Sequence, residues 1–336
     1  MVQEISCAEG LGVKMNRVTG FAIILVAWAV LSGVSPARAF PDRARHVFVI
    51  IMENESFGNI VNSPDAPFFN SLTGGHLNNY WGVAHPSLPN YVAMMGAAPP
   101  LPVSDDPRVR IRGDSFPEEM FRHGHTVKAY MQGLPRPGFG GKGYPPVLNR
   151  YVLKHDPLLL FSRIRHHKDW RMQARPFSQF STDLSGGRVP EVSLIVPDLC
   201  HDMHGAFLCH FRNRHDLIRA GDKFLSTWVP AILQSKEYQE GSSWIFILWD
   251  EGDTYVGHVD PDSAKDKDGP VNGRISSGGR LPFLWISGNP PRGWKTDCFS
   301  NHYSLLETLT RNFGLPELAP PGERIPLPVM GASCRR

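Results

Sequence analysis

The chain has 336 residues, with 35 Lys and Arg against 32 Asp and Glu and a formal net charge of +3. That length suits one large α/β domain with insertions. Nothing in the near-balanced charge suggests a binder driven electrostatically onto nucleic acid or a membrane surface.

In chain order, Met15-Asn16-Arg17 open a short basic segment, and Phe21 to Val34 ("FAIILVAWAVLSGV") form an apolar core. Ala37-Arg38-Ala39 then puts small residues at both key positions of a cleavage site. Residues 1–39 read as a secretory signal peptide, because the apolar core is shorter than the ~20 residues a membrane span needs. Residues 1–14 read as an over-long start, and an uncleaved anchor is the alternative. The expectation is an exported protein, periplasmic or secreted, with residues 40–336 as one domain and no membrane span left after cleavage. Beyond the leader stand Cys200, Cys209, Cys298 and Cys334. In an oxidising compartment they suggest two disulfides, most simply Cys200–Cys209 and Cys298–Cys334 among three possible pairings. A metal role for the pair lying among histidines is the competing reading.

Four apolar runs read as buried strands: "HVFVIIM" (His46 to Met52), "VSLIV" (Val192 to Val196), "SWIFILW" (Ser243 to Trp249) and "LPFLWIS" (Leu281 to Ser287). Their near-continuous hydrophobicity predicts strands covered on both faces, as in a mainly parallel sheet between helices. Helical spacing appears over Asp222 to Ser235 and over "HYSLLETLTRNFG", which Gly314 and Pro316 stop. The segments 134–146 and 260–279, rich in Gly, read as irregular insertions.

The polar residues just past each strand carry the chemistry. Glu53-Asn54 come after the first, "PDLCHDMHG" after the second and Asp250-Glu251 after the third. In an open α/β sheet the carboxyl ends of the strands form the ligand-binding edge. Adjacent carboxylates at the rim of a core cost several kcal/mol each unless something positive meets them. The two pairs together therefore suggest a hard divalent cation, Mg²⁺, Ca²⁺ or Mn²⁺, with Zn²⁺ allowed. Asp198, His201, Asp202 and His204 stand within seven residues, suited either to a second metal or to hydrogen-bonding an anionic substrate. His258 and His302 carry little weight when read alone.

In "AHPSLPNY", Ser87 lies between Pro86 and Pro89, with His85 before it and Asn90 after. A serine hydroxyl attacks only when its proton is removed or its oxygen coordinated. No G-x-S-x-G elbow surrounds it. A metal held by Asn54, Asp250 and Glu251 would stabilise its alkoxide, and Asn90 could offer an amide N–H to a developing oxyanion.

The ordered set "VIIMENESF", "HPSLPNYVAMMG", "YVLKHDPLLLF", "VPDLCHDMHG", "WDEGDTYVGHVDP" and "NHYSLLETL" resembles the phosphoesterase family of bacterial phospholipases C and of acid phosphatases, within the alkaline phosphatase-like superfamily. The likeness runs from about His46 to about Leu318. It implies a three-layer α/β/α sandwich with a mainly parallel central sheet. It implies a metal held by Glu53, Asn54, Asp250 and Glu251, with Ser87 as phosphorylated nucleophile and Asn90 beside it; the residues themselves add Ser87 as a further metal ligand and His201 or His204 as proton donor. His85, Lys154, His155, Asp198, Asp202, His258 and His302 are then assigned to the substrate pocket. The chain departs from the family around Leu134 to Pro146 and in the polar loop after His258.

The function expected is hydrolysis of phosphate monoesters, on a small molecule or a lipid, through a phosphoserine. A phosphodiesterase or phospholipase C activity is the alternative. An inactive protein binding an anionic ligand is the alternative of another class. A sulfatase is disfavoured because Ser87-Leu88-Pro89-Asn90-Tyr91 lacks the arginine of that motif.

Overall fold

The buried apolar runs assemble into an eight-stranded sheet. Its order is Lys295–Thr296, Gly75–Leu77, Phe283–Ser287, Ser243–Trp249, His46–Met52, Val192–Val196, Val127–Met131 and Ala174–Pro176. The computed structural model describes residues 43–96, 101–102, 104–207, 209, 213–253, 275–287 and 294–330, all in the unit Phe40–Arg336. His258, Cys334, residues 1–39 and most of the 260–279 insertion lie outside the described residues.

The five strands from Ser243–Trp249 to Ala174–Pro176 are mutually parallel, and His46–Met52 sits among them with a parallel neighbour on each side. All seven residues of Ser243–Trp249 are buried, as are all five of Val192–Val196. Their hydrophobicity is continuous because helices cover both faces. Phe283–Ser287 has the same composition yet runs antiparallel to both its neighbours. Burial alone does not encode direction. Pro282 also splits the expected run, leaving Leu281 to pair with Tyr80 in a separate three-stranded sheet with Ser300–Asn301.

Two helix groups flank the sheet. The Arg214–Leu233 helix packs against Pro67–Ser71 on one side, while Ser87–Met95, Phe116–Arg122 and His302–Phe313 pack together elsewhere. The first of these starts eight residues before the expected Asp222, because Asn213 caps it by accepting from the Asp216 N–H at 3.1 Å. His302–Phe313 is closed at its start by a reciprocal Asn301–Ser304 capping box and at its end by Gly314 at φ +67°. Within 134–152 the chain forms turns and one short antiparallel pair, Gly143–Tyr144 with Tyr151–Val152. Cys200 and Cys209 are joined as a disulfide. Cys298 is also disulfide-bonded, and its expected partner Cys334 is outside the described residues. Among the described residues no helix is long and apolar enough to cross a membrane.

Candidate active site

Because Ser243–Trp249, His46–Met52 and Val192–Val196 are adjacent and parallel, their carboxyl ends open on one edge. Glu53-Asn54, Asp250-Glu251 and the Asp198–Gly205 loop emerge there together. The loops are tied by their backbones: the Glu53 N–H donates to Asp202 O at 2.8 Å, and the Asp250 N–H donates to Met52 O at 3.0 Å. Asn54 sits at φ +48°, a region asparagine tolerates better than most residues, and its N–H donates to Asp250 Oδ1 at 3.1 Å. Met203 holds φ +85° between Asp202 and His204, and its buried side chain fills the space over Gly221, where an added Cβ would lie 2.5 Å from Met203 Cγ. That packing offsets the strained backbone and fixes the two residues beside it.

Ser87 is the first residue of the Ser87–Met95 helix, all nine of whose residues are buried. Pro86 caps the helix and Pro89 lies in its first turn, where a missing N–H costs nothing. The Ser87 hydroxyl is 2.9 Å from Glu251 Oε1, 3.2 Å from Glu53 Oε2 and 3.5 Å from Asn54 Oδ1. The loop before it is braced by close backbone contact: the Gly82 N–H donates to Gly279 O at 2.9 Å and the Gly278 N–H to Gly82 O at 3.1 Å. A Cβ on Gly82 would stand 2.7 Å from Gly278 O, so only glycine permits the approach.

Two carboxylates and an amide oxygen thus converge on one buried hydroxyl. Asp250 Oδ2 is buried without a hydrogen-bond donor, and so is Asp202 Oδ2. Burial, then the charges of Asp250 and Asp202, push Glu53 well above the carboxylate range. Burial and the Glu251 charge push Asp250 up as well. Asp250 and Glu53 lie within side-chain hydrogen-bond reach of each other, so only a shared proton or a cation can satisfy both. Among the described residues no three His, Cys, Asp or Glu side chains form a ready-made metal cage. The convergent set is instead mixed: carboxylates, the Ser87 hydroxyl and the Asn54 carbonyl. All are hard oxygen donors, and their unbalanced charge fits a divalent cation.

Around this cluster the structure gathers most of the residues expected in the pocket. His85 Nδ1 pairs with Glu251 Oε2. His155 is buried, with Nε2 3.4 Å from Glu53 Oε2 and without a hydrogen-bond partner. Burial and the neighbouring Lys154 charge hold its imidazole neutral to well below the ordinary pKa. Lys154 Nζ donates to Asp105 Oδ2 at 2.6 Å; burial disfavours its charge, but Glu53 and Asp105 outweigh that and raise its pKa. His204 Nδ1 donates to Gly205 O at 2.9 Å, which leaves Nε2 as the open nitrogen, and burial lowers its pKa. The His204 N–H donates to Asp202 Oδ1 at 2.8 Å.

Four expected residues do something else. Asn90 has no amide hydrogen left for a substrate: Nδ2 donates to Ala84 O at 2.7 Å and Pro86 O at 3.2 Å, while Oδ1 accepts from the Val83 and Ala84 N–H groups. It staples the loop that carries Ser87. His302 is fully buried behind the edge, bonded to the Tyr80 hydroxyl at 2.9 Å and to Asp250 O at 2.5 Å, and burial pushes its pKa down to about 4. It buttresses Asp250 instead of facing substrate. His201 Nδ1 donates to Asp198 Oδ1 at 2.8 Å, and Asp198 also pairs with Arg150 at 2.6 Å. These two form a neighbouring ion-pair cluster, with none of these contacts made to Ser87.

Sequence reasoning passed over three contributors. The Tyr91 hydroxyl donates to Glu53 Oε1 at 2.5 Å, and its ring stacks on His155 with centroids 5.2 Å apart. Its position one helical turn after Ser87 was the available signal. Asp105 accepts from the Leu88 N–H at 3.1 Å as well as from Lys154, and "VSDDP" carries no pattern that marks it. Arg214 clasps the two acidic loops by donating to both Glu55 oxygens at 2.9 Å and to Asp253; despite it, burial pushes Glu55 up to about 7.

The profile of the Phosphoesterase family matches residues 62–316. This chain belongs to the phosphoesterase family. It is 30% identical over 251 residues to a phosphate-repressible acid phosphatase of Penicillium chrysogenum, covering 72% of this chain and 52% of that one. It therefore spans about half the length of that relative. An acid phosphatase of Aspergillus niger is 28% identical, with 92% of this chain and 69% of that one covered. A phosphatidylinositol-3-phosphatase of Mycobacterium tuberculosis is 26% identical, with 88% and 86% covered. Among solved structures, this chain is similar to an alkaline phosphatase superfamily protein from Vibrio parahaemolyticus (TM-score 0.52, 13% identity, 90% and 76% covered). It is also similar to a lipoteichoic acid synthase from Listeria monocytogenes (TM-score 0.52, 12% identity, 91% and 81% covered). These structural likenesses bear on the fold of the chain alone.

Proposed function

We propose that this chain is an exported, divalent-metal-dependent phosphoesterase that hydrolyses phosphate monoesters through a phosphoserine at Ser87. Residues 40–336 form its single domain and residues 1–39 its signal peptide. The observation that carries the reading is the Ser87 hydroxyl at the head of a buried helix, within 2.9–3.5 Å of Glu251, Glu53 and Asn54 oxygens. Glu53, Asn54, Ser87, Asp250 and Glu251 would hold the cation. When bound, it supplies charge to balance the carboxylates and lowers the pKa of the serine hydroxyl.

Ser87 Oγ attacks phosphorus in line, passing its proton to a neighbouring carboxylate, Glu251 being nearest. The Oγ–P bond forms as the ester P–O bond breaks, and the departing alkoxide takes a proton. Lys154 and the Leu88 N–H offer positive partners to the phosphoryl oxygens. His204 presents Nε2 at this edge and donates a proton only when it is charged. Its lowered pKa confines that state to acidic conditions, which suits an acid phosphatase. Water then cleaves the phosphoserine, releasing phosphate and restoring the hydroxyl. The Cys200–Cys209 disulfide supports the exported assignment. A phosphate ester carried on a lipid is the second reading, favoured by the near end-to-end match with the phosphatidylinositol-3-phosphatase.

The test compares p-nitrophenyl phosphate, its bis-ester and phosphatidylinositol 3-phosphate, before and after chelation, with wild type and Ser87→Ala. The variant should fold and lose turnover by orders of magnitude, and acid quenching of wild type should trap a phosphoprotein absent from the variant. Retention of more than about a tenth of the activity, less than ~1.4 kcal/mol in barrier, would refute the phosphoserine. Tight binding of esters with no turnover of any would favour an inactive anion-binding protein.

A further inference from the structure

Asp105 occupies a position that a substrate oxygen would be expected to seek. Its carboxylate takes two donors at once, the Leu88 N–H at 3.1 Å and Lys154 Nζ at 2.6 Å. Leu88 directly follows Ser87 and sits in the first turn of the nine-residue helix, whose free N–H groups favour an anion. Lys154 has its charge sustained by Glu53 and Asp105. A second, independent sign of a ligand position lies alongside. His155 Nε2, on a side chain only 2% exposed, has no partner and stands 3.4 Å from the same Glu53 oxygen that Ser87 contacts.

We propose that Asp105 is an internal stand-in for phosphate, holding the Leu88 N–H and Lys154 until a phosphoryl group displaces it. The assignment rests on the phosphoesterase reading of Ser87. A phosphoryl group on Ser87 would need these donors, and a carboxylate and a phosphate cannot share them. Asp105 therefore lowers the affinity of the pocket for every phosphate species. The penalty is the same for ester and free phosphate, but an ester offsets it with contacts from its alcohol portion, which inorganic phosphate lacks. Asp105 thus weakens retention of the phosphate product and hastens its release. Its side chain is about a third exposed, so it can withdraw into solvent.

The test is calorimetric titration of the purified full chain with inorganic phosphate, for wild type, Asp105→Asn and Asp105→Ala. Both variants should bind phosphate at least tenfold more tightly, with a lower inhibition constant for phosphate against p-nitrophenyl phosphate. Equal or weaker binding in both variants would overturn the proposal and make Asp105 a simple anchor for Lys154. Asparagine retains an acceptor for the Leu88 N–H, so tightening in Asp105→Ala with none in Asp105→Asn would also overturn the charge-based competition. Loss of phosphate binding in wild type and both variants alike would refute the underlying phosphoesterase reading as well. Unchanged binding in variants that still hydrolyse esters would refute the role of Asp105 alone.

Discussion

Asn90 offers the sharpest discrimination between two accounts of one residue. If it staples the Ser87 loop, Asn90→Ala should chiefly cost stability. The fully buried side chain serves the Val83 and Ala84 N–H groups at 2.9 and 3.2 Å and two carbonyls at 2.7 and 3.2 Å, the Val83 bond buried and the other three part-buried. Each buried donor left unsatisfied costs roughly 1–3 kcal/mol. Two of them, with some relaxation, give a loss of about 4 kcal/mol, a large part of the ~5–15 kcal/mol that holds a domain together. Urea denaturation followed by far-ultraviolet circular dichroism would read that loss as a lowered midpoint with little change in slope. Asn90→Asp gives a second handle. Its Oδ1 still accepts from the two N–H groups, but an anionic oxygen then faces Ala84 O and Pro86 O. Burial raises the pKa of such a carboxyl, so the native state holds its proton more firmly than the unfolded chain, and stability should recover as pH falls. A stability loss below ~1 kcal/mol for Asn90→Ala, with kcat falling by orders of magnitude, would refute the staple and return Asn90 to the oxyanion.

Asp250→Asn should reduce bound divalent metal, read by elemental analysis, together with turnover; retention of both would make Asp250 an ordinary strand-end residue. In metal-free protein the raised pKa values of Glu53, Asp250 and Asp202 should make thermal stability fall as pH rises, because the folded state binds the extra protons. Added metal should flatten that slope. Asp156, buried and accepting from the Leu158 and Leu159 N–H groups and the Tyr151 hydroxyl, is pushed up to about 6 by burial. Its contribution is greatest at acidic pH and declines by at most ~3 kcal/mol as pH rises from about 4 through 6, a slope that Asp156→Asn should remove from the denaturation series. His204→Ala should lose more activity on alkyl phosphates than on p-nitrophenyl phosphate, and His201→Ala should lose equally on both. The reverse ranking would make His201 the proton donor.

Much of the site could be read in the sequence because its chemistry sits at strand ends. A titratable pair after a continuous apolar run marks the ligand-binding edge with no knowledge of strand order, and Glu53-Asn54 and Asp250-Glu251 do meet there. The antiparallel direction of Phe283–Ser287 was not legible, since two-sided burial gives the same composition in either direction. The side-chain roles of Asn90 and His302 were hidden for a different reason. Whether a polar group faces a ligand or the backbone depends on its partners, and those come from loops such as Val83–Pro86 and from a carbonyl 52 positions away. Asp105 belongs to no periodic element, so only the fold brings it to Lys154, 49 positions on.

The hydrogen bond from the Asn54 N–H to Asp250 bridges 196 positions of chain. A contact of that span forms only once the loop-closure entropy of the intervening segments has been met. The repulsion among Glu53, Asp202, Asp250 and Glu251 is accordingly absent while the chain is open and arises only as the central strands come into register. A nascent chain that has not yet delivered Ser243–Trp249 has no acidic cluster, whatever ions surround it. The electrostatic cost of the site thus falls on the step that joins these strands, where the burial of their apolar side chains offsets it.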